Sequence, residues 1–366
     1  MKTKPRILFI MPLPPPVHGS AVVSRQIRES PSIREAFDCD FVNLSTSRSL
    51  KEVGKGAPVK ALRFLGSFLK TFLRLLTHRY DLCYLAITCH GHGFLKDAPF
   101  VLLCRMFRRK VVIHQHNKGM SGDVDRWPYR WLLPLVYRKA RVILLSWRLY
   151  DDISGVVPRE NVLVCPNGID SPAPSEGERK HSGAVPRILF LSNLIKSKGV
   201  FTLLDALQIL SRKGYSFQCD FVGSSTKEID AGIFALETEK RGLSAQVSYK
   251  GPKYGDEKER VLDEADIFVF PTENETFGLC LLEAMAHRLP VVTTDEGGIP
   301  DIVEDGVCGF ICEKRNPEAL SGNIAKLIED ESLRLRMGEE GFRRQRNLFS
   351  GKAFENRMLE CLKESL

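Results

Sequence analysis

Short, almost unbroken apolar runs recur along this chain, each followed by a stretch with helical spacing. The runs RILFIMPL, CDFVNLS, LCYLAIT, KVVIHQH, RVILLS and NVLVCPN lack the alternation of a half-exposed strand, so they predict parallel strands covered by helices on both faces. After SPAPSEGERKHSGAVP, a Pro-, Ser-, Gly- and charge-rich linker at 171–186, the pattern restarts with RILFLSNL, FQCDFVG, QVSYKGP, DIFVFPT, LPVVTT and GFICEK. Even RILF returns, at 6–9 and at 187–190. A chain of 366 residues is long for one core. The expectation is therefore α/β, with two Rossmann-like domains in tandem facing an interdomain cleft: residues 1–175, residues 176–345, and a final helical segment at 346–366. Sheets wound this way bind ligands beyond the carboxyl ends of their strands, which is where functional residues should lie.

Composition excludes several other classes. Hydrophobic residues make up 43% and charged residues 27%, as in ordinary globular proteins. The ten cysteines are scattered without a C-x-x-C pair, which argues against a disulfide framework and for a reducing, cytoplasmic setting. The apolar part of MKTKPRILFIMPLPPPVHG is broken by Pro12, so it reads as a first strand and not as a signal peptide. No apolar run reaches the ~18 residues of a spanning helix, and any membrane contact is expected to be peripheral.

The net charge of +8 suits an anionic partner, although charge alone does not separate nucleotide, nucleic acid and lipid headgroup. Its placement is more informative. In VKALRFLGSFLKTFLRLLTHRYD, Lys60, Arg63, Lys70, Arg74 and His78 recur at helical spacing, while Leu62, Leu65, Phe68, Leu69, Phe72, Leu75 and Leu76 fill the other side. This basic amphipathic helix is either a surface helix packed on its own sheet or a contact for an anionic membrane surface or lipid substrate.

Two stretches after strands carry chemistry. In NLIKSKGV, Lys196 and Lys198 sit on a turn before a helix opened by Gly199. Free helix-terminal amides beside an ammonium group cradle phosphate. In PTENETFGLCLLEAMA, Glu275 precedes a helix beginning near Phe277 and Gly278, and Glu283 lies one turn beyond Leu279. Gly278 permits close approach of a diphosphate, and the two oxygens of Glu283 could accept from vicinal ribose hydroxyls. The plainer alternative makes Glu275 a first-turn charge on the helix dipole and Glu283 a solvated residue. The uncharged surroundings of Glu283 speak against that, since they suggest burial, which is costly for an unpaired carboxylate.

The run P-T-x-x-E-x-F-G-L-x-L-L-E-A-M-A, followed by LPVVTT and GGIP, resembles the family 4 glycosyltransferases of the GT-B fold, with their two glutamates separated by seven residues. NLIKSKGV is similar to the family's diphosphate-binding lysine turn, and CPNGID at 165–170 is similar to the segment before its interdomain linker. The resemblance implies retaining, metal-independent transfer of a hexose-type sugar from a nucleotide-diphosphate donor such as a UDP or GDP sugar, with no cofactor. The acceptor would be a glycan or a lipid-linked intermediate of surface polysaccharide (lipopolysaccharide included) or glycolipid assembly. The protein would be cytoplasmic or peripheral at the inner face of the membrane, with no nucleic-acid partner.

By the same resemblance Glu283 holds the donor ribose, Glu275 the sugar hydroxyls and Lys198 the leaving diphosphate. Amides around Thr276, Phe277, Gly278 and Leu279 meet sugar and phosphate, Gly19 and Ser20 close over the phosphates, and His116 contacts the donor sugar. The final helix AFENRMLECLKESL would cross back to the N-terminal domain. Two departures stand out: Asn193 occupies a position where many members have arginine, leaving that contact missing or supplied by Lys196, and Arg288 replaces a usual glycine.

Rival readings exist. His18, His90, His92, His114 and His116 follow or end predicted strands, and the last four, as HGH and HQH, have paired metal-ligand spacing, which would suit a metal-dependent hydrolase. No carboxylate cluster accompanies them, and imidazoles also bind sugar hydroxyls, so no metal site is expected. The Asp-x-Asp triplets at 38 and 123 lie outside the donor half and read as structural. Neither half opens with G-x-G-x-x-G, which argues against an NAD oxidoreductase. A nucleotide-sugar epimerase or phosphorylase could share the two-domain cleft. An inactive binding protein would have no need of Glu275, Lys198 and His116 together.

Overall fold

The structure is a computed structural model and describes residues 4–15, 19–45, 58–170 and 185–366. His18 and residues 171–184 of the expected linker lie outside the described residues. Two compact units are present: residues 1–167 with 351–366, and residues 168–350. Each contains one fully parallel six-stranded sheet.

The first unit runs β1 (Arg6–Met11), α1 (Gly19–Glu29), α2 (Pro31–Ala36), β2 (Asp38–Asn43), α3 (Pro58–Thr77), β3 (Leu82–Ile87), α4 (Gly91–Met106), β4 (Lys110–Gln115), α5 (Tyr129–Tyr137), β5 (Arg141–Leu144) and β6 (Val162–Val164). Strand order is β2-β1-β3-β4-β5-β6. Right-handed crossovers place α1 on one face and α3, α4 and α5 on the other, because the chain winds outward from β1 and β3 in opposite directions. A further helix, α13 (Gly351–Ser365), joins the α1 face. Its Phe354, Met358, Cys361 and Leu362 recur at helical spacing and bury against Phe9, Tyr84, Val112 and Ile143. Each of the larger side chains contributes roughly 1.5 to 3 kcal/mol by leaving water.

Helix α3 corrects one expectation. Its phenylalanines face the protein and not the solvent: Phe64 and Phe68 meet Phe100 of α4 edge-on, both with centroids 5.5 Å away, and Phe72 meets Phe107 at 5.8 Å. Leu62, Leu65, Leu69, Leu73 and Leu76 are left outside instead while Leu75 is buried, because the aromatic edges fill the space between α3 and α4. Arg74 is also engaged, since its guanidinium pairs with Asp40 of β2, which in turn accepts from Tyr80 at 2.7 Å and Arg6 at 3.0 Å.

The second unit runs β7 (Arg187–Leu191), α6 (Val200–Arg212), β8 (Gln218–Val222), α7 (Ala231–Lys240), β9 (Val247–Gly251), α8 (Asp256–Glu264), β10 (Ile267–Phe270), α9 (Leu279–Ala286), β11 (Val291–Thr294), α10 (Ile299–Ile302), β12 (Gly309–Cys312), α11 (Pro317–Glu329) and α12 (Glu331–Leu348). Its order is β12-β11-β10-β7-β8-β9. The winding direction reverses between β7 and β10, which makes the loops after these two neighbours the place where a sheet of this kind opens to ligand. Ile169 pairs with Ser350, so the segments entering and leaving this unit lie side by side.

Candidate functional site

The loop after β7 tightens into a short turn at Lys196–Lys198 and ends at Gly199, whose φ of 81° lets α6 begin at once. A Cβ at Gly199 would lie 2.0 Å from the Pro271 carbonyl oxygen, so only glycine brings the two loops this close. They are stitched together there. Ser197 O accepts from the amides of Glu273 at 2.7 Å and Asn274 at 3.2 Å, and from the Thr272 hydroxyl at 3.2 Å.

This stitching sets the chemistry. Lys198 Nζ reaches across to donate to the Asn274 carbonyl at 2.7 Å and to Glu275 Oε2 at 3.0 Å. The other oxygen, Glu275 Oε1, accepts from the amides of Thr276 at 2.9 Å and Phe277 at 3.3 Å. Those two amides, expected to meet the ligand, are therefore already taken by Glu275. Gly278, at φ 96°, caps α9, and Leu279 opens it. The Phe277 ring is core, with its centroid 6.1 Å from that of Phe349. The Cys280 thiol nearby is pushed far above its ordinary value, first by burial and then by the charges of Glu275 and Glu283.

Glu283 differs from expectation. It is only partly buried and pairs with Lys258 of α8 at 3.0 Å, so the inference from an unpaired buried carboxylate does not apply. Helix α8 packs close enough to supply a counter-ion that the local sequence around Glu283 does not contain. Asn193 sits just after β7 and accepts from the Ser224 amide at 3.2 Å. Arg288, the other departure, lies at φ 53° just past α9, pairing with Glu339 at 3.0 Å and stacking over Phe342 at 3.9 Å.

Sequence reasoning missed a second layer. Glu296, buried in the loop after β11, directs Oε1 to the Glu275 amide at 3.4 Å and Oε2 to Lys314 at 2.6 Å. Arg315 pairs with Glu273 at 2.5 Å. Gly297 completes the contact, since a Cβ there would lie 2.3 Å from the Glu275 carbonyl oxygen. Glu296, Lys314 and Arg315 all follow strands, a position that could have drawn attention to them.

In the first unit, Gly19 and Ser20 begin α1, and His116 follows β4. His114, one residue pair earlier on the strand, is fully buried. Its Nδ1 hydrogen-bonds the Tyr84 hydroxyl at 2.6 Å, and its ring lies 4.0 Å from that of His116. Burial, and then the neighbouring His116, pushes the His114 pKa well below the usual imidazole value, so it is neutral at pH 7. His90, the N-cap of α4, and His92 in its first turn are exposed, and among the described residues no group of three or more His, Cys, Asp or Glu is arranged to hold a metal. The Asp-x-Asp residues have structural partners: Asp40 as above, and Asp123 with the Gly91 amide at 2.7 Å and Arg126 at 3.0 Å.

Comparison with solved structures defines the class of fold. Anabaena Alr3699/HepE, solved with UDP and glucose, aligns over 98% of this chain and 99% of its own with a TM-score of 0.73 at 19% identity. The fold is GT-B. Residues 176–344 match the model of the family "Glycosyl transferases group 1". Among curated relatives, the capsular polysaccharide biosynthesis glycosyltransferase CapM of Staphylococcus aureus is 34% identical over 163 residues, 44% of this chain and 41% of CapM. The amylovoran biosynthesis glycosyltransferase AmsK of Erwinia amylovora is 29% identical over 235 residues, 61% of this chain and 53% of AmsK. The chain thus spans about two fifths to one half of these relatives. Nothing in these likenesses favours an epimerase, a phosphorylase or a hydrolase.

Proposed function

We propose that this chain transfers a hexose-type sugar from a nucleotide-diphosphate donor to a glycan or lipid-linked acceptor in surface polysaccharide or glycolipid assembly. The observation that carries this is the meeting of Lys198 and Glu275 at 3.0 Å between the starts of α6 and α9. A cation and a carboxylate set between two helix N-termini match a ligand with a diphosphate at one end and hydroxyls at the other. The family domain at 176–344, the names of CapM and AmsK, and the UDP held by Alr3699/HepE support the reading.

In this mechanism the barrier is cleavage between the anomeric carbon and the diphosphate. Negative charge grows on the leaving phosphate while the sugar becomes oxocarbenium-like. Lys198, the dipoles of α6 and α9 and the amides at Gly278 and Leu279 stabilise that charge, with Asn193 and Lys196 beside them. Glu275 accepts from sugar hydroxyls, and Glu283 holds the ribose. In the first unit His116 contacts the sugar, and Gly19 and Ser20 close over the phosphates. Transfer proceeds on the front face with retention, the leaving phosphate taking the acceptor proton, and needs no metal. On this reading the protein is cytoplasmic or peripheral at the inner face of the membrane. No helix among its described residues is long and apolar enough to cross a membrane.

A thermal-shift panel of UDP, GDP, ADP and their sugars tests the donor class, because a ligand bound to the folded state raises the melting temperature by mass action. One nucleotide series should stabilise. NMR of the product should then give the donor's anomeric configuration, and turnover should survive EDTA. No shift with any nucleotide would end the proposal.

A further inference from the structure

We infer that the outer side of the α3–α4–α5 layer is a docking surface for an anionic lipid membrane, with the α3 leucines as the inserted part and a basic cluster at the ends of α4 and α5 as the headgroup contact. This deepens the reading of a lipid-linked acceptor and rests on it for its purpose, but its test does not involve sugar transfer.

The apolar part is a stripe. Leu62, Leu65, Leu69, Leu73 and Leu76 follow one another at intervals of three and four residues, and all are exposed, Leu62 at 68% and Leu76 at 61%. A helix packed on its own sheet should have leucine inside and charge outside. Here the inside is already filled by Phe64, Phe68, Phe72 and Leu75, so the leucine row is a second apolar face. The stripe continues onto α4, whose Met106 is 66% exposed next to the Phe107 that holds Phe72.

Charge selects the occupant. Helix α3 contains no acidic residue, and Lys70 stands exposed beside the leucines. Arg105, Arg108, Arg109, Arg138 and Lys139 gather where α4 and α5 end, with Arg108 and Lys139 both held at φ 56°. The Nε atoms of Arg105 and Arg109 are buried without a hydrogen-bond partner among the described residues. Burial, and then the nearby Arg138, lowers the Arg105 pKa, so these two guanidiniums repel each other with no carboxylate pairing with Arg105 among the described residues. An apolar stripe with a basic cluster to one end of it matches a lipid surface of phosphate headgroups over acyl chains. Each basic residue near an anionic leaflet raises binding roughly five-fold.

The test is flotation of the full chain with phosphatidylcholine vesicles, with or without phosphatidylglycerol, at low and high salt. Wild-type protein should float with the anionic vesicles at low salt. Leu69→Asp/Leu73→Asp should weaken this at least ten-fold, and Lys70→Glu/Arg108→Glu should weaken its salt-dependent part by a similar factor. Nucleotide thermal shifts should be unchanged in both variants, which checks folding and separates this inference from the proposed transfer reaction. Failure of wild-type protein to bind, or variants binding like wild type, would overturn it. So would sedimentation of wild-type protein as a dimer that Leu69→Asp/Leu73→Asp dissociates, since a second copy would then cover the stripe.

Discussion

Lys198 Nζ stands 3.0 Å from Glu275 Oε2, so the cation assigned to the diphosphate and the carboxylate assigned to the sugar are held against each other by the protein itself. Both side chains are about one-fifth exposed, so the pair is neither fully hydrated nor sealed.

The two charges should separate in their effects. Lys198→Met should weaken bare nucleoside diphosphate by about 1.5 to 3 kcal/mol, the worth of a hydrogen bond to a charged group. Glu275→Gln should leave bare nucleotide within about two-fold and act on nucleotide-sugar affinity or turnover; a two-fold change is only ~0.4 kcal/mol. Calorimetric titration with nucleotide and nucleotide sugar distinguishes them. Equal losses on bare nucleotide would remove the division of roles.

Glu283 offers a comparison with its partner Lys258, 3.0 Å away. If Glu283 holds the ribose, Glu283→Gln should cost about 1.5 to 3 kcal/mol in nucleotide affinity. Lys258→Met should change stability by no more than about 1 kcal/mol, because both side chains are partly in water. Parallel small losses of stability in both variants, with nucleotide affinity intact, would make the pair purely structural.

Glu296 and Lys314 brace the Glu275 loop from behind. Lys314→Met leaves a carboxylate only 3% exposed without its counter-ion. Because Lys314 itself is half in water, the cost should be about 2 kcal/mol, below the 3 to 5 of a fully buried pair. That lowers the melting temperature by about 4 to 8 °C. Adding Glu296→Gln should recover most of the loss, and a single variant that melts like wild type would show that the brace carries no tension.

Glu355 on α13 accepts from the Ser30 hydroxyl, from the Ser32 amide at 3.2 Å and from Lys352 at 2.8 Å. Burial alone would raise its pKa, but these donors bring it down to about 2. A carboxylate depressed in the folded state stabilises fully above its unfolded value of about 4.3 and loses that contribution as pH falls towards the folded value. Stability should therefore decline between about pH 4.5 and pH 2, with a shallower slope in Glu355→Gln. Acid melts of the two proteins provide the check, and identical slopes would refute it.

Local pattern carried much of this architecture. All twelve apolar runs contain strands, and inner ones such as β3, β10 and β11 were legible because a strand buried on both faces is marked by its own composition. The helix starts at Gly199 and Gly278 were legible because glycine has a backbone reason to be there. What the sequence did not carry were partners brought together by the fold. Lys258 beside Glu283, Lys314 beside Glu296, and Lys198 touching Glu275 join segments about 20 to 80 residues apart, and no periodicity encodes such pairs. Helix α3 failed for a related reason: its two apolar faces look alike until Phe100 and Phe107 reveal which one is inside.

The return of α13 to the first sheet imposes an order on synthesis. A ribosome releases β1 to β6 long before Phe354, Met358 and Leu362 exist, so the apolar surface around Phe9 and Tyr84 has no complete cover at that stage. The second unit is continuous from 168 to 350 and can complete its core before the first, although it emerges later. A released chain that ends at residue 350 thus pairs one unit whose sequence is whole with one still open to chaperones and proteases, and the sixteen residues of 351–366 decide whether the earlier-made half leaves their reach.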